Sequence, residues 1–448
     1  MTPVADNATL GTPYWWEHGA ALPSFSSELP SKTQLLIVGA GYTGLSAAIA
    51  AHDAGAKVVV VDAGIPGLGA STRNGGMFGP HPRLGFDTLA AKFGQEAANG
   101  IYNESQSAFD FTSNLIKKEN IDCHFEQCGR IQLAWTKAHL LSQRRQVEKI
   151  KQVSNINVEI VEQAELDTEI NSPCYFGGIR FPDHASLHPR QFHDGLIRAV
   201  VERGIDVIQK CAIQTVERIK SEHQKKQFLA TTKSGEKMYC EKVVMATNGY
   251  TQGKFSWFAS RVFPLPSYLI ATEPLSSNLI ESLAPGRRMM VETRARHSYF
   301  RISPDGTRIL FGGRASMTPI NAQRAAKRLH QTLCEVWPEL SSTRVTHSWM
   351  GNTGYSFNHV PQIGTHQGIN YSMGYSGSGV VLAPYLGAKA AWMVLGDERG
   401  ISAYQQSEFA SKWFFRGGKP RFLHPANAWY RQVVDRMETN RAKRDQRS

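Results

Sequence analysis

The chain has 448 residues, of which 41% are apolar, 10% aromatic and 20% charged, and its 50 Lys and Arg against 38 Asp and Glu leave a net charge of +12. This predicts about two to three globular domains and excludes general disorder. Six cysteines without a CxxC pair argue against a zinc ribbon or a disulfide scaffold, no secretory pattern opens the chain, and the glycine-interrupted apolar stretch 35–51 is too short to span a bilayer. Cytoplasmic residence is the expectation. The positive balance admits an anionic substrate, a nucleic acid, a membrane surface or merely a basic exterior.

Residues 1–33 read as a polar, proline-punctuated arm whose Tyr14, Trp15 and Trp16 predict docking on the rest of the chain. Residues 34–38 read as a buried strand, 39–44 as a turn, 45–54 as a helix rich in small residues and 57–62 as a β-branched strand. Together they form a βαβ unit. A glycine-dense loop covers 64–79, helical periodicity runs to about residue 152, and a turn-rich passage spans 173–189. Phe192, Leu196, Ala199 and Val200 mark a helix leading to a strand at 206–208, and 242–246 reads as its partner strand. Alternation then predicts strands at 268–272, 297–302 and 307–311, with a type I turn through Pro304 and Gly306. Residues 319–337 are expected to be helical, 345–392 to be glycine-rich turns leading into a helix, and 426–443 to be an amphipathic helix whose apolar face docks on the protein.

The pattern predicts an α/β fold, α+β in its second domain. Residues 34–85, 186–260 and 345–412 form a Rossmann-like dinucleotide-binding domain. Interleaved with it, 86–185 and 261–344 form a substrate domain built on an antiparallel sheet, and 413–448 form a basic tail.

Gly39, Ala40, Gly41, Tyr42, Thr43 and Gly44 spell a GxGxxG turn after a strand and before a helix, and the following strand ends at Asp62. In that context Gly39 permits the tight turn, Gly41 lets backbone approach a pyrophosphate, and Gly44 allows close helix packing. The helix N-terminus faces the phosphate charge and the Asp62 carboxylate can accept ribose hydroxyls. The next loop, through Ser71, Thr72, Arg73, Asn74, Gly75, Gly76 and Met77, carries glycines that let amides press against a flat ring, and it reads as the wall of an isoalloxazine site.

These motifs, with the strand and turn 243–250, the segment 264–273 and the glycine-rich stretch 374–384, resemble in order the FAD-dependent oxidoreductases of the D-amino-acid oxidase superfamily, in the branch of the gamma-glutamylputrescine, glycine and sarcosine oxidases. The resemblance implies an FAD domain joined to a substrate domain on a large antiparallel sheet. It places Asp62 and Ala63 at the AMP ribose, the Ile213 backbone at the adenine, Ala246 and Thr247 beside the cofactor, and Gly377, Ser378, Gly379, Val380 and Val381 near the pyrimidine edge of the flavin. A helix start there would favour negative charge on the reduced ring. Some relatives attach FAD through a cysteine in the turn matching 348–352, which here holds none, so the FAD is expected to be noncovalent.

On the strand 296–302, His297, Tyr299 and Arg301 share one face and Arg296, Ser298 and Phe300 the other, and either can line the pocket. Arg301 can clamp a carboxylate. Tyr268 and Trp349 are candidate pocket walls. His81 and His359 sit beside prolines, no cluster has metal-ligand spacing, and no metal is expected because flavin accepts the electrons. The leading expectation is oxidation of the C–N bond of a small amine or amino acid by hydride transfer to flavin N5, with imine hydrolysis and with oxygen, forming hydrogen peroxide, or a quinone as acceptor. A hydroxy-acid dehydrogenase is the alternative, and a basic flavoprotein acting on RNA or a protein the second. No nucleic-acid partner is expected, and a membrane surface is not favoured.

Overall fold

A computed structural model describes residues 11–447 except 18, 20–22, 81, 221–225, 252–253 and 407. Residues 1–10 of the arm, and His81, therefore lie outside the described residues. Two eight-stranded sheets organise the rest.

The first sheet has the strand Lys32–Val38 at its centre, parallel to Val58–Val61 on one side and to Lys237–Met245 on the other. Asp206–Ile208 and Ile369–Met373 extend it in parallel, and Gln362–His366 closes one edge antiparallel. Val58–Val61 is buried at every position, Val58 and Val60 in the cluster of the helix Tyr42–Asp53 and Val59 and Val61 in that of Ile213, Phe228, Ala230 and Met238. The strands Ile213–Lys220 and Lys226–Thr232 form an antiparallel meander with Lys237–Met245.

The helix Tyr42–Asp53 lies against Gly379–Leu395, and glycines allow the approach. A Cβ on Gly44 would stand 1.8 Å from the Gly39 carbonyl oxygen, and one on Gly387 would stand 2.2 Å from that of Thr43. Neither position has room for a side chain.

The second sheet runs in the order Val345–Ser356, Val262–Thr272, Ile309–Gly313, Ser298–Ile302, Met289–Glu292, Arg130–Leu133, Gly177–Phe181, Glu159–Glu162. It is antiparallel except where Met289–Glu292 runs parallel to Arg130–Leu133. The hairpin joining Ser298–Ile302 to Ile309–Gly313 turns as expected at Pro304, with the Gly306 N–H donating to the Ser303 carbonyl at 2.9 Å. The helix Ala322–Val336 covers this sheet, its apolar face closing over Phe300, Phe311 and Trp337.

Several expected boundaries move. Val345–Ser356 pairs along its length with Val262–Thr272, so residues 345–356 belong to the second sheet rather than the first. The segment 348–352, expected to be a turn, lies inside that strand. Conversely, the helix Gln95–Lys118, expected on the substrate side, packs on Gly379–Leu395, where Thr112 Oγ1 donates to the Val381 carbonyl at 2.9 Å. The strands Arg130–Leu133 and Gly177–Phe181 fall where helical periodicity and turns were expected. They are short, so helix-length windows averaged them away.

The C-terminal chain runs helically through Leu423–Trp429, a π-turn at Tyr430–Val434 and Asp435–Arg447. It docks largely through polar groups. Asp435 pairs with Arg296, Glu438 accepts from the Ala295 N–H at 3.1 Å, and Asp445 accepts from the Lys137 N–H at 2.9 Å. Ala442 is buried, whereas Trp429 and Met437 from the expected apolar stripe are 60% and 67% exposed. The helix is thus held at its polar edge, contrary to expectation, because the sheet rim it meets offers backbone amides and a guanidinium. Among the described residues no helix is long and apolar enough to cross a membrane.

Candidate active site

Two cavities meet between the sheets. The first, of about 660 Å³, is lined by Gly39, Ala40, Gly41, Tyr42 and Thr43, then Asp62 and Ala63, Ser71 and Asn74, Ile213, Ala246 and Thr247, and Gly377, Gly379 and Val380. Much of this wall is backbone. The helices Tyr42–Asp53 and Gly379–Leu395 both start on it, and neither N-cap residue caps with its own side chain, though Ser71 Oγ accepts from the Tyr42 N–H at 3.1 Å. The remaining N–H groups there suit an anion.

The glycine turn is held from two sides. Asp62 accepts from the Ala40 N–H at 2.9 Å and from the Gly64 N–H at 2.9 Å, while His193 Nε2, fully buried, bonds to the Ala40 carbonyl at 2.9 Å. Gly39 has φ +110° and no space for a side chain, since a Cβ would lie 2.8 Å from the Ala246 carbonyl oxygen. At Gly41 a Cβ would meet Ser71 Oγ at 3.0 Å and larger groups would enter the cavity. Gly44 lines neither cavity and serves helix packing.

The second cavity, of about 590 Å³, shares Ala70, Asn74, Thr353, Gly377 and Val380 with the first, so the two form one elongated space. Arg73, Gly75, Met77, Ser378 and Val381 line it on the loop and helix side. His297 and Tyr299 line it from the strand Ser298–Ile302 and its approach. The strand face left open by sequence is therefore the one bearing His297 and Tyr299. Tyr299 fits because its ring lies between two glycines: a Cβ on Gly312 would stand 2.3 Å from it and one on Gly75 3.0 Å. Its hydroxyl bonds to Ser267 Oγ at 2.9 Å, and burial pushes its pKa up to about 12.

Five expected positions are corrected. Arg301 shares the face of Tyr299, but its guanidinium is buried and donates to the carbonyls of Leu187 at 3.0 Å and Gly76 at 3.3 Å, away from the cavity. It braces the loop rather than lining the pocket. Tyr268 is a core residue, its hydroxyl donating to the Thr318 carbonyl and accepting from the Ile320 N–H. Trp349 is 1% exposed and donates from Nε1 to the Arg73 carbonyl at 3.0 Å, behind the loop rather than in the cavity. Thr72 and Gly76 line neither cavity. Thr72 is buried, and Gly76, at φ +67°, has its Cβ direction filled by the Leu187 carbonyl at 2.1 Å.

Sequence reading missed Arg83, Arg314 and Tyr355, and did not assign His359 to the site. All four line the second cavity. The Arg83 and Arg314 guanidinium carbons each lie 5.2 Å from the centre of the Tyr355 ring, and Arg314 donates to the Tyr355 hydroxyl at 2.5 Å. Neither arginine is ion-paired with a carboxylate among the described residues. Burial, with the charges of Arg314 and Arg83, pushes the His297 pKa down to about 3. Burial, Arg83, Lys92 and Arg314 push that of His359 down to about 4. Both imidazoles are neutral at pH 7, and His359 Nδ1 is buried with no hydrogen-bond partner among the described residues. Among the described residues no three His, Cys, Asp or Glu side chains are grouped to hold a metal.

An elongated cleft with a glycine cradle, two helix starts and a polar chamber at one end fits a dinucleotide whose ring reaches that chamber. The family description "FAD dependent oxidoreductase" (DAO) matches residues 34–393. The chain belongs to this family. It is 28% identical over 404 residues to the probable oxidoreductase OrdL of Rhizobium meliloti (strain 1021), covering 89% of this chain and 91% of that protein. It is 26% identical over 370 residues to gamma-glutamylputrescine oxidoreductase of Escherichia coli (strain K12), covering 82% and 85%. Among solved structures it is similar to glycine oxidase from Geobacillus kaustophilus, with a TM-score of 0.69, 17% identity, and 86% of this chain and 99% of that chain covered. This chain is an FAD-dependent enzyme of the DAO fold, and the residues of the first cavity are those available to hold the cofactor.

Proposed function

We propose that the enzyme oxidises the C–N bond of a small primary or secondary amine that carries a carboxylate. One observation carries the reading: Arg83 and Arg314 flank Tyr355 in the chamber that opens onto the FAD cleft, and neither has a carboxylate partner among the described residues. A substrate carboxylate satisfies both charge and donor geometry there. Bound FAD supplies the acceptance of a hydride from the carbon next to nitrogen.

The chain's own groups prepare that event. Arg314 holds the carboxylate, and Tyr299 and Ser267 stand as hydroxyl partners for the amine. The local positive charge disfavours an ammonium ion, so the amine is held as the free base that hydride loss requires. His297 and His359, held neutral, serve as hydrogen-bond partners and not as charged acids. The start of Gly379–Leu395 offers positive potential beside the chamber. Water then hydrolyses the released imine to a carbonyl compound and ammonia, or a primary amine where the substrate was secondary. Oxygen, reduced to hydrogen peroxide, is the acceptor we assign.

The FAD is read as noncovalent: among the described residues lining the two cavities the one cysteine is Cys211, beside Asp62 and Ile213 rather than the ring-side loop. The two sheets are read as two interleaved units with the substrate chamber between them. All six cysteines are free, which supports residence in the reducing cytoplasm.

Anaerobic mixing of the holoenzyme with a panel of carboxylated amines, read by loss of flavin absorbance, tests the assignment. Bleaching by such an amine, with peroxide on admitting oxygen, is expected. Bleaching by a hydroxy acid alone would replace it with the hydroxy-acid dehydrogenase reading, and bleaching without peroxide would move the acceptor to a quinone.

A further inference from the structure

The loop that contributes Ala70 and Asn74 to both cavities belongs to neither sheet over residues 72–74, yet its polar groups are buried or half-buried and need partners. Three indoles supply one partner to each of these three residues, beside the loop's own bonds to Gly67, Leu68, Ala70, Ser71 and Met350. Trp16 Nε1 donates to Thr72 Oγ1 at 3.0 Å, Trp349 Nε1 to the Arg73 carbonyl at 3.0 Å, and Trp15 Nε1 to the Asn74 carbonyl at 2.8 Å. Three successive loop residues are thus each held by a tryptophan. The Arg73 guanidinium lies over the Trp16 ring at 4.5 Å. Indole is a rigid donor with no acceptor, so these contacts do what a neighbouring strand would do for a strand.

The arm that carries Trp15 and Trp16 is itself tied to the second sheet. The Gly11 N–H donates to the Ser348 carbonyl at 2.7 Å, the Tyr14 hydroxyl to Asp305 at 3.3 Å, and Glu17 pairs with His347 Nε2 at 2.9 Å. Trp15 and Trp349 share a buried cluster with Leu269 and Leu310, and Tyr299 of the chamber packs against it. On its other side the same loop presents Ser71 and Asn74 to the cofactor cleft and Arg73, Asn74 and Gly75 to the chamber.

We propose that Trp15, Trp16 and Trp349 are positioning residues that set the loop 72–74 against the bound flavin, so that the N-terminal arm is part of the cofactor site. Replacing a tryptophan by phenylalanine keeps the ring and removes the donor, which separates positioning from packing. The measurements are FAD titration of the apoprotein and visible circular dichroism of the bound flavin, on the full-length chain. Trp15→Phe is expected to weaken FAD binding about tenfold and Trp16→Phe about threefold, each with a changed flavin dichroism. Unchanged FAD affinity and dichroism in both would overturn the proposal whatever happens to thermal stability. Should Trp15→Phe fail to fold, Trp16→Phe at its half-buried position decides alone.

Discussion

The proposed FAD cleft and the proposed substrate chamber are continuous, yet they are built from different materials. The cleft is walled by backbone from the consecutive residues 39–43 and by helix starts, so its properties follow from where side chains are missing. The chamber is walled by side chains from separate elements: His297 and Tyr299 from one strand, Arg314 beyond the next, Tyr355 from the edge strand and Arg83 from a loop. A cofactor shared by a family suits the first construction. A substrate that varies within a family suits the second, since a chamber of independent side chains can change one residue at a time.

Substitutions can break that contrast. The largest effect is expected at Gly41, where replacement by leucine fills the approach to the pyrophosphate and lowers FAD affinity more than 100-fold, read by flavin retained after gel filtration. Gly44→Leu, by contrast, collides with the Gly39 carbonyl and is expected to prevent folding, read by circular dichroism.

In the chamber, Arg314→Met is expected to raise KM for a carboxylated amine about 10- to 100-fold while FAD affinity stays the same, because it removes a charge-assisted clamp. A loss of FAD binding instead would erase the distinction between the two regions.

The pH dependence sharpens it further. His297 and His359 have pKa values depressed to about 3 and about 4 in the folded chain, against about 6.5 unfolded. Below pH about 6.5 the unfolded chain binds these protons first, so their contribution to stability is complete above that pH and is lost as pH falls toward 3–4. The thermal midpoint is expected to fall between pH 7 and pH 5, and the fall to shrink in a His297→Gln, His359→Gln double variant. A fall of the same size in that variant would show that neither imidazole is held neutral.

Acid precipitation is expected to release all flavin to the supernatant; flavin in the pellet would mean a covalent bond. The smallest effect concerns the tail. Truncation after Gly418 removes the Asp435, Glu438 and Asp445 contacts and the buried Leu423, and is expected to lower the thermal midpoint by a few degrees with FAD binding retained. The full-length protein is expected not to sediment with anionic vesicles at physiological salt.

The glycine turn, its strand and its helix were legible in the sequence because they form one local unit: a buried β-branched run, three glycines at fixed spacing and a small-residue helix. The resemblance to FAD oxidoreductases rested on such local units in order, and it reached the fold and the cofactor. The strand carrying His297 and Tyr299 was legible too, as alternation, but alternation leaves open which face looks inward. Tertiary structure decided that, because Gly312 and Gly75, from a neighbouring strand and a distant loop, leave space for the Tyr299 ring, while Arg301 on the same face is drawn to the Leu187 and Gly76 carbonyls. The same limit explains Arg83 and Arg314, which no local spacing links, and Trp349, whose indole serves a loop 276 residues away. Local patterning determines where the chain turns and buries itself. Which distant side chains converge on one chamber depends on sheet order and register, and those are set only when the whole core packs.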